Sequence, residues 1–363
     1  MRDHELTLTE MLAKNAQKDI VRNANLLKIS VSKYEKKTKA AKLVADFILN
    51  EPLALLRHLP EKDVLKLQRM VHSPNNEVPI NSLSHQNDCI ARIGLSDFNY
   101  TEERNIEFIY SDLAEALTPV IDDYVNAREE RAATQQHEQL ILGLLNLYGM
   151  LTLRQLVDLF KEYDTQTSEF ELFETMYNSY LLHSTEVKAP NGFVYVSPFM
   201  EDIDSAMKKM KDLKLTMAEF TLDEVIAAGD SEFPMPPSSI FIKEYYSILY
   251  CIYPTKEEMD QWVSFIWTGD NYITDFGKII SLIFFPKPEP DQPKLDKEQI
   301  KFSNSYLRAT LSLIAFLPKW RLKGHSPYEI YQKKISHLPP EISLEAPCPC
   351  GSGKKYKNCC GNN

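Results

Sequence analysis

Apolar positions near the start of the chain recur at the spacing of amphipathic helices. One run extends from Leu8 to Ala24, and a second, from Ala40 to Ile48, follows the i, i+3, i+4, i+7, i+8 pattern. Residues 26–32 lack this period and predict an extended turn, with Ser32 as the N-cap of the second helix. A further short helix is predicted over residues 61–71. The pattern therefore predicts a helical module, helix–extended loop–helix, over residues 1–75.

The region from residue 100 to residue 215 is predicted to be helical, with one exception near its end. A long helix is expected from Thr101, interrupted near Pro119 and continuing through the charged run Arg128–Arg131. Within this region, residues 140–199 have a more specific pattern.

Residues 140–199 have the order of a winged helix, three helices followed by a hairpin. Leu140–Tyr148 is an apolar helix closed by Gly149, and Thr152 opens a second helix with Gln155 completing a capping box. A third helix is expected over Glu169–Tyr180. Two alternating stretches then form the hairpin: Ser184–Lys188 and Gly192–Val196.

The third helix is the one that reads DNA in most winged helices. Here its surface carries Glu169, Glu171 and Glu174 and no Lys or Arg. Because phosphates repel such a surface, this winged-helix-like segment is expected to serve structure or protein contact instead.

Residues 216–338 are predicted to form a helical, aromatic-rich domain. Proline clusters interrupt it at residues 234–237 and 286–290, and the second cluster predicts a stiff linker. Ser326 followed by Pro327 and Glu329 is a strong helix start. Trp320, in the stretch Pro318–Pro327, is expected to be a packing anchor.

Composition fits this mostly α, multi-helical fold class with a small winged-helix-like α+β segment. The chain has 363 residues, 44% hydrophobic and 25% charged, which excludes a disordered or collagen-like protein. No stretch approaches the roughly 18 apolar residues of a membrane helix. The first residues do not resemble an export signal, so we expect a cytoplasmic protein with reduced cysteines.

Four of the six cysteines lie close together near the end of the sequence. They form a Cys-x-Cys pair, an eight-residue arm and two adjacent cysteines: Cys348, Cys350, Cys359 and Cys360. Four thiolates make the closed tetrahedral site of structural zinc, so Zn²⁺ is the expected cofactor. Residues 345–363 are too short to have a core of their own, so the fold class is expected to include a zinc-stabilised C-terminal tail whose folding energy comes from metal binding. The other two, Cys89 and Cys251, are expected to be buried small apolar residues.

The run Cys348–Gly361 resembles the SEC-C metal-binding motif, which occurs at the C-terminus of the SecA translocase ATPase and on many smaller bacterial proteins. The resemblance implies zinc and docking to ribosomes or partner proteins. It does not imply ATP hydrolysis, because the chain has no Gly-x-x-x-x-Gly-Lys-[Ser/Thr] loop. Three lysines between the cysteine pairs are the candidate partner contacts: Lys354, Lys355 and Lys357.

A basic segment near the N-terminus supports an alternative function. Residues 14–42 hold nine Lys or Arg against two acids, although the whole chain has a net charge of −10. This helix–loop–helix pattern is similar to the Rho N-terminal and SAP-type modules, which bind nucleic acid. An ordinary solvent-exposed helix face produces the same run of lysines without binding nucleic acid. The candidate phosphate contacts are six lysines: Lys28, Lys33, Lys36, Lys37, Lys39 and Lys42.

No catalytic set is recognisable. His137-Glu138 lacks the second histidine of a zinc protease, and Asp275-Phe276-Gly277 occurs without the other kinase motifs. The expectation is therefore a cytoplasmic, non-enzymatic zinc adaptor that docks to a ribosome or protein partner through its tail. The alternative is a DNA- or RNA-binding regulator that uses the N-terminal module.

Overall fold

The computed structural model describes residues 6–80, 89–100, 105–183, 185–189, 192–200, 203–210, 215–230, 233–253, 255–272 and 296–336, together with Ser352, Lys354, Lys355 and Asn358. Helices dominate this part of the chain and the strands form small antiparallel sheets, which confirms the mostly α fold class.

The helices, in chain order, have these bounds: α1 Leu8–Leu12, α2 Gln17–Leu26, α3 Lys37–Asn50, α4 Pro52–Leu56, α5 Glu61–His72, α6 Cys89–Ile93, α7 Ser111–Leu117, α8 Ile121–Asn126, α9 Arg128–Tyr148, α10 Leu153–Tyr163, α11 Glu169–Asn178, α12 Tyr180–His183, α13 Ile203–Met210, α14 Leu222–Ala228, α15 Ile240–Leu249, α16 Lys256–Tyr272, α17 Lys297–Phe316 and α18 Pro327–Ser336. The strands are β1 Glu77–Pro79, β2 Ser96–Tyr100, β3 Asn105–Ile109, β4 Met150–Thr152, β5 Glu186–Ala189 and β6 Gly192–Val196.

The N-terminal helices pack on α3, as the apolar periodicity predicts. α3 buries Ala40, Val44 and Ile48 on one face. It begins later than expected, because the side chain of Ser32 accepts a hydrogen bond from the backbone of Tyr34 (3.2 Å) instead of capping a helix. The N-cap of α3 is Lys36, which makes no capping hydrogen bond through its side chain.

The long helix predicted from Thr101 is wrong in its first part. Residues 105–109 form β3, the centre of an antiparallel sheet with the order β1-β3-β2, and the helical structure begins only at Ser111. The sequence does not show the apolar pattern of a buried strand here, because one of the buried residues of β3 is the acid Glu107. It accepts hydrogen bonds from Ser96 (2.5 Å) and from the ammonium of Lys66 (3.0 Å), which compensate its burial.

The middle of the chain has the predicted order of helices and hairpin. The capping box of Thr152 and Gln155 starts α10. The sequence missed β4, which pairs with β6 so that Leu151 lies opposite Tyr195, and the sheet has the order β4-β6-β5. The predicted third helix divides at Ser179 into α11 and α12. The description of this segment as winged-helix-like stays a prediction.

The segment after α17 connects several parts of the molecule. Trp320 is only 5% exposed, and its indole donates a hydrogen bond to the backbone oxygen of Asn146 on α9 (2.6 Å), which identifies it as a packing anchor. The indole of Trp267 on α16 donates to the backbone oxygen of Pro318 (3.1 Å). α18 begins as predicted, with the backbone of Glu329 donating to the Ser326 side chain (3.1 Å). We call residues 318–326 the junction segment.

The buried apolar side chains form a core that crosses the predicted domain boundaries. One connected cluster extends from Leu8 on α1 to Leu317 after α17. The boundaries near residues 75, 100, 215 and 338 stay predictions. Within the described ranges, no helix has the length and apolarity required to cross a bilayer.

Candidate functional site

The four predicted zinc ligands, Cys348, Cys350, Cys359 and Cys360, lie outside the described residues. The arm between the two cysteine pairs is partly described. The backbone of Asn358 donates to the oxygen of Lys355 (2.9 Å), so the chain turns immediately before Cys359. Such a turn is the local geometry that an arm needs in order to bring its two ends together.

The donor set of the tail fits zinc by its chemistry. Four soft thiolates with no carboxylate or water position are the ligands of a closed structural zinc site. Among the described residues, no three His, Cys, Asp or Glu side chains are grouped so as to hold a metal ion. The tail cysteines have the composition of a structural zinc site.

The lysines of the tail are accessible where they are described. Lys354 and Lys355 are both exposed, and Lys357 lies outside the described residues. The backbone of Lys354 donates to the hydroxyl of Ser352 (3.4 Å). The surface between the cysteine pairs therefore presents at least two positive charges to solvent.

The six N-terminal lysines are all exposed, but they do not form one surface. Lys36, Lys37, Lys39 and Lys42 lie at the beginning of α3, and Lys39 pairs with Glu35 (3.1 Å). Lys28 lies apart from them. Its ammonium reaches the side chain of Asn178 at the end of α11 (3.4 Å) and lies 5.2 Å from the centre of the Tyr177 ring, so it connects the N-terminal helices to the middle of the chain.

The surface of α11 is acidic, as predicted, and also aromatic. Glu169 pairs with Lys161 (2.5 Å), and Glu171 completes a capping box with Ser168. Three exposed rings that sequence reasoning missed lie at helical spacing on this helix: Phe170, Phe173 and Tyr177. Their i, i+3, i+7 spacing was the available signal.

The two remaining cysteines differ from each other. Cys89 on α6 is fully buried, as predicted, and burial raises the pKa of its thiol well above the usual value. The prediction for Cys251 is wrong, because this residue is exposed in the turn after α15. Apolar residues flank Cys251 along the sequence, but the chain leaves the helix there, and the side chain is not covered.

Comparison with known proteins supports the interpretation of the tail as a SEC-C motif. The family model described as the SEC-C motif matches residues 346–362. A UPF0225 protein of Photorhabdus laumondii is 38% identical over 71 residues, which are 20% of this chain and 36% of that protein. The SecA translocase subunit of Wolinella succinogenes is 58% identical over 33 residues, 8% of this chain and 4% of that protein.

A second SecA, from Finegoldia magna, is 74% identical over 23 residues, 6% of this chain and 2% of that protein. The chain thus spans about a third of the UPF0225 relative and a few per cent of each SecA. No solved structure matches the chain. None of these similarities supports the resemblance of the N-terminal segment to Rho or SAP modules. The chain is a mostly helical protein that carries a SEC-C motif.

Proposed function

We propose that this protein is a non-catalytic adaptor of the cytoplasm whose SEC-C tail binds Zn²⁺ and docks to a ribosome or to another acidic partner. The observation that carries the proposal is the family match over residues 346–362, which includes all four cysteines. Four thiolates leave zinc no open position, so the ion supplies folding energy to the tail and no reaction.

The charge of the tail supports docking to an acidic surface. Lys354 and Lys355 are exposed between the cysteine pairs. Zinc with four thiolates carries a formal charge of about −2, which these lysines and Lys357 offset. The rest of the chain carries an excess of acidic residues, so the tail is a local exception in a protein of net charge −10.

A second candidate function rests on the lysines of α3. Lys36, Lys37 and Lys42 are exposed at the beginning of this helix, where no acidic residue occupies the first turn. Lysines at a helix N-terminus are unfavourable for the helix dipole, and an anion such as a nucleic-acid phosphate relieves that cost. The alternative is therefore a DNA- or RNA-binding regulator that uses this surface.

Co-sedimentation with ribosomes separates the two candidates. Two variants remove the same number of charges: Lys354→Gln/Lys355→Gln/Lys357→Gln in the tail, and Lys36→Gln/Lys37→Gln/Lys42→Gln on α3. The adaptor proposal expects the wild type and the α3 variant to sediment with ribosomes, and the tail variant to remain in the supernatant. An RNA-binding regulator expects the opposite result, with a steep dependence on salt. A DNA-binding regulator expects no sedimentation, and DNA binding is then the next test.

A metal-free variant completes the experiment. Cys359→Ala/Cys360→Ala is expected to lose both zinc, measured by elemental analysis, and ribosome sedimentation. Zinc-free wild-type protein would overturn the metal assignment. A zinc-loaded wild type that does not sediment would exclude the ribosome, and retention of binding by the cysteine variant would remove docking from the tail.

A further inference from the structure

A cleft of about 790 Å³ opens between the N-terminal helices and α9, far along the chain from the zinc tail. Its walls come from α4, the beginning of α5, α8, α9 and the end of α11. A smaller cleft of about 220 Å³ shares three wall residues with it: Glu61, Gln135 and Glu138. Clefts of this size at the meeting of two structural units are the usual location of ligand sites.

Glu138 on α9 is the unusual residue of this wall. Its side chain is half-buried and lines both clefts. The hydroxyl of Ser179 donates to its Oε1 atom. Among the described residues, no group donates to its Oε2 atom. Burial raises the pKa of Glu138, and only the Ser179 hydrogen bond opposes this shift.

The nearest positive charge on the same helix, that of Arg131, pairs with another acid of the cleft. The Arg131 guanidinium pairs with Glu61 (3.0 Å) and stacks 3.9 Å from the centre of the Tyr124 ring. Gln135 donates to the same Glu61 carboxylate (2.6 Å). Glu61 is therefore compensated by two side chains, whereas Glu138 receives one hydroxyl.

Lys28 and Arg57 act on another group of the same cleft. Burial lowers the pKa of His58, and the charges of Lys28 and Arg57 lower it further, while the imidazole bonds to the backbone oxygen of Asn178. Among the described residues, neither cation forms an ion pair with Glu138, which lines the same cleft. The cleft thus has a positive region around His58 and an uncompensated carboxylate at Glu138, with Asp123 as a further exposed acid in its lining.

We propose that this cleft binds a ligand through a cationic nitrogen group, a protonated amine or a guanidinium, which donates hydrogen bonds to Glu138. A partly desolvated carboxylate with a single hydroxyl donor is less stable than one in water, and a glutamine accepts the same hydrogen bond without that cost. A negative charge at this position has a physical use when a cation from outside the protein pairs with it. The proposal concerns a site independent of the zinc tail.

The cationic group has two possible sources, a free small molecule or an arginine or lysine side chain of another protein. Isothermal titration of the full-length protein with two probes distinguishes them. Agmatine represents the free amine, and N-acetyl-L-arginine amide represents a side chain within a polypeptide. Binding of agmatine in preference to the amide indicates a small molecule, and the reverse preference indicates a protein side chain.

Three variants test the role of Glu138. Glu138→Gln is expected to weaken binding of the preferred probe by at least about tenfold, because a charge-assisted hydrogen bond becomes a neutral one. Asp123→Asn, an exposed substitution that leaves packing intact, is expected to weaken it by a smaller factor. Glu244→Gln, an exposed acid on α15 outside the cleft, is the matched control and is expected to bind as the wild type does.

Two results would overturn the proposal. One is a wild type that binds neither probe in the millimolar range. The other is a folded Glu138→Gln variant, verified by circular dichroism, that binds the probe as tightly as the wild type does. If Glu138→Gln does not fold, equal binding by Asp123→Asn and the wild type is the overturning result.

Discussion

Lys319 and Asp270 form an ion pair inside the C-terminal helices. Their side chains are 3% and 11% exposed, so both charges have lost most of their water. The pair connects the junction segment to α16. Its two charges compensate each other, and removal of one leaves the other buried without a counter-charge.

Asp270→Asn is therefore expected to lower the free energy of unfolding by about 3 kcal/mol. Adding Lys319→Met to the same chain is expected to recover most of this loss, because it removes the uncompensated ammonium. Urea denaturation of the single and double variants measures both effects. The control is Lys256→Met in the pair Lys256–Asp260, whose lysine is exposed, with an expected cost of less than about 1 kcal/mol. Equal costs for Asp270→Asn and Lys256→Met would contradict the argument.

Glu138 makes the stability of the protein depend on pH in an unusual direction. Its pKa is raised by burial above the usual 4.5. At a pH between 4.5 and the raised pKa of the folded protein, Glu138 holds a proton that it has released in the unfolded chain. The contribution of Glu138 to stability therefore falls as the pH rises through this range. The contribution is fully present below pH 4.5 and is lost as pH passes through the raised pKa.

Glu138→Gln is consequently expected to gain stability relative to the wild type as the pH rises from 4.5 to neutral. Urea denaturation of both proteins at a series of pH values gives this difference, in which the other titrating groups cancel. Glu244→Gln should show no such trend. A difference that shrinks with increasing pH would mean that the carboxylate is stabilised in the folded state.

Gly149 separates α9 from β4 at a point where the junction segment crosses them. Its φ of 77° is in the left-handed region, and a Cβ atom at this position would lie 2.4 Å from Cγ of Trp320. Two separate requirements, the backbone conformation and the space for the indole, therefore favour glycine here. The indole hydrogen bond to Asn146 fixes the ring in that position.

Gly149→Ala is expected to cost about 3 kcal/mol of unfolding free energy, the sum of backbone strain and overpacking. Gly192→Ala isolates the first contribution, because Gly192 also has a positive φ of 124° but no atom lies within 4 Å of its Cβ position. Its expected cost is about 1 kcal/mol. Thermal denaturation followed by circular dichroism compares the two. A larger cost for Gly192→Ala would exclude the contact with Trp320 as the dominant effect.

Elements with local signals were predictable from the sequence, and those that depend on distant partners were not. Two helix starts depend only on residues close together in the sequence, and both were confirmed: the capping box of Thr152 and Gln155, and the N-cap at Ser326. β3 was missed because its stability comes from pairing with β1 and β2 and because Glu107 interrupts its apolar run. The strands that pair with a given strand, and the cations that neutralise a buried acid, come together only when the chain folds, so the local sequence does not reveal them.

The same distinction applies to the candidate sites. The cysteine spacing of the tail is contiguous, and the family match includes all four cysteines. The cleft combines residues from five separate elements, and the string His137-Glu138 gives no indication of it. Its key contact, between Glu138 and Ser179, joins residues 41 positions apart.

Most buried apolar side chains of the described helices belong to one large cluster, whereas the tail segment is too short to have a core of its own. The cluster of buried side chains from Leu8 to Leu317 predicts that the helical part unfolds as a single cooperative unit. The folding of the tail is expected to depend on zinc. The two parts should therefore respond differently to metal removal.

A strong zinc chelator is expected to abolish partner binding without changing the melting temperature or the helical circular dichroism of the protein. A variant that lacks residues 345–363 is expected to melt at the same temperature and to be insensitive to the chelator. Differential scanning calorimetry is the measurement. A chelator-dependent loss of helicity in the full-length protein would show that the zinc tail also stabilises the helical core.

The position of the junction segment determines how mechanical tension on the tail would spread. α18 leads from Ser326 toward the tail, and the residues before it are fixed to α9 through Trp320 and to α16 through Pro318. A load that passes along α18 therefore reaches two long helices at once. A partner that pulls on the zinc tail would therefore load two buried hydrogen bonds on two different helices at the same time.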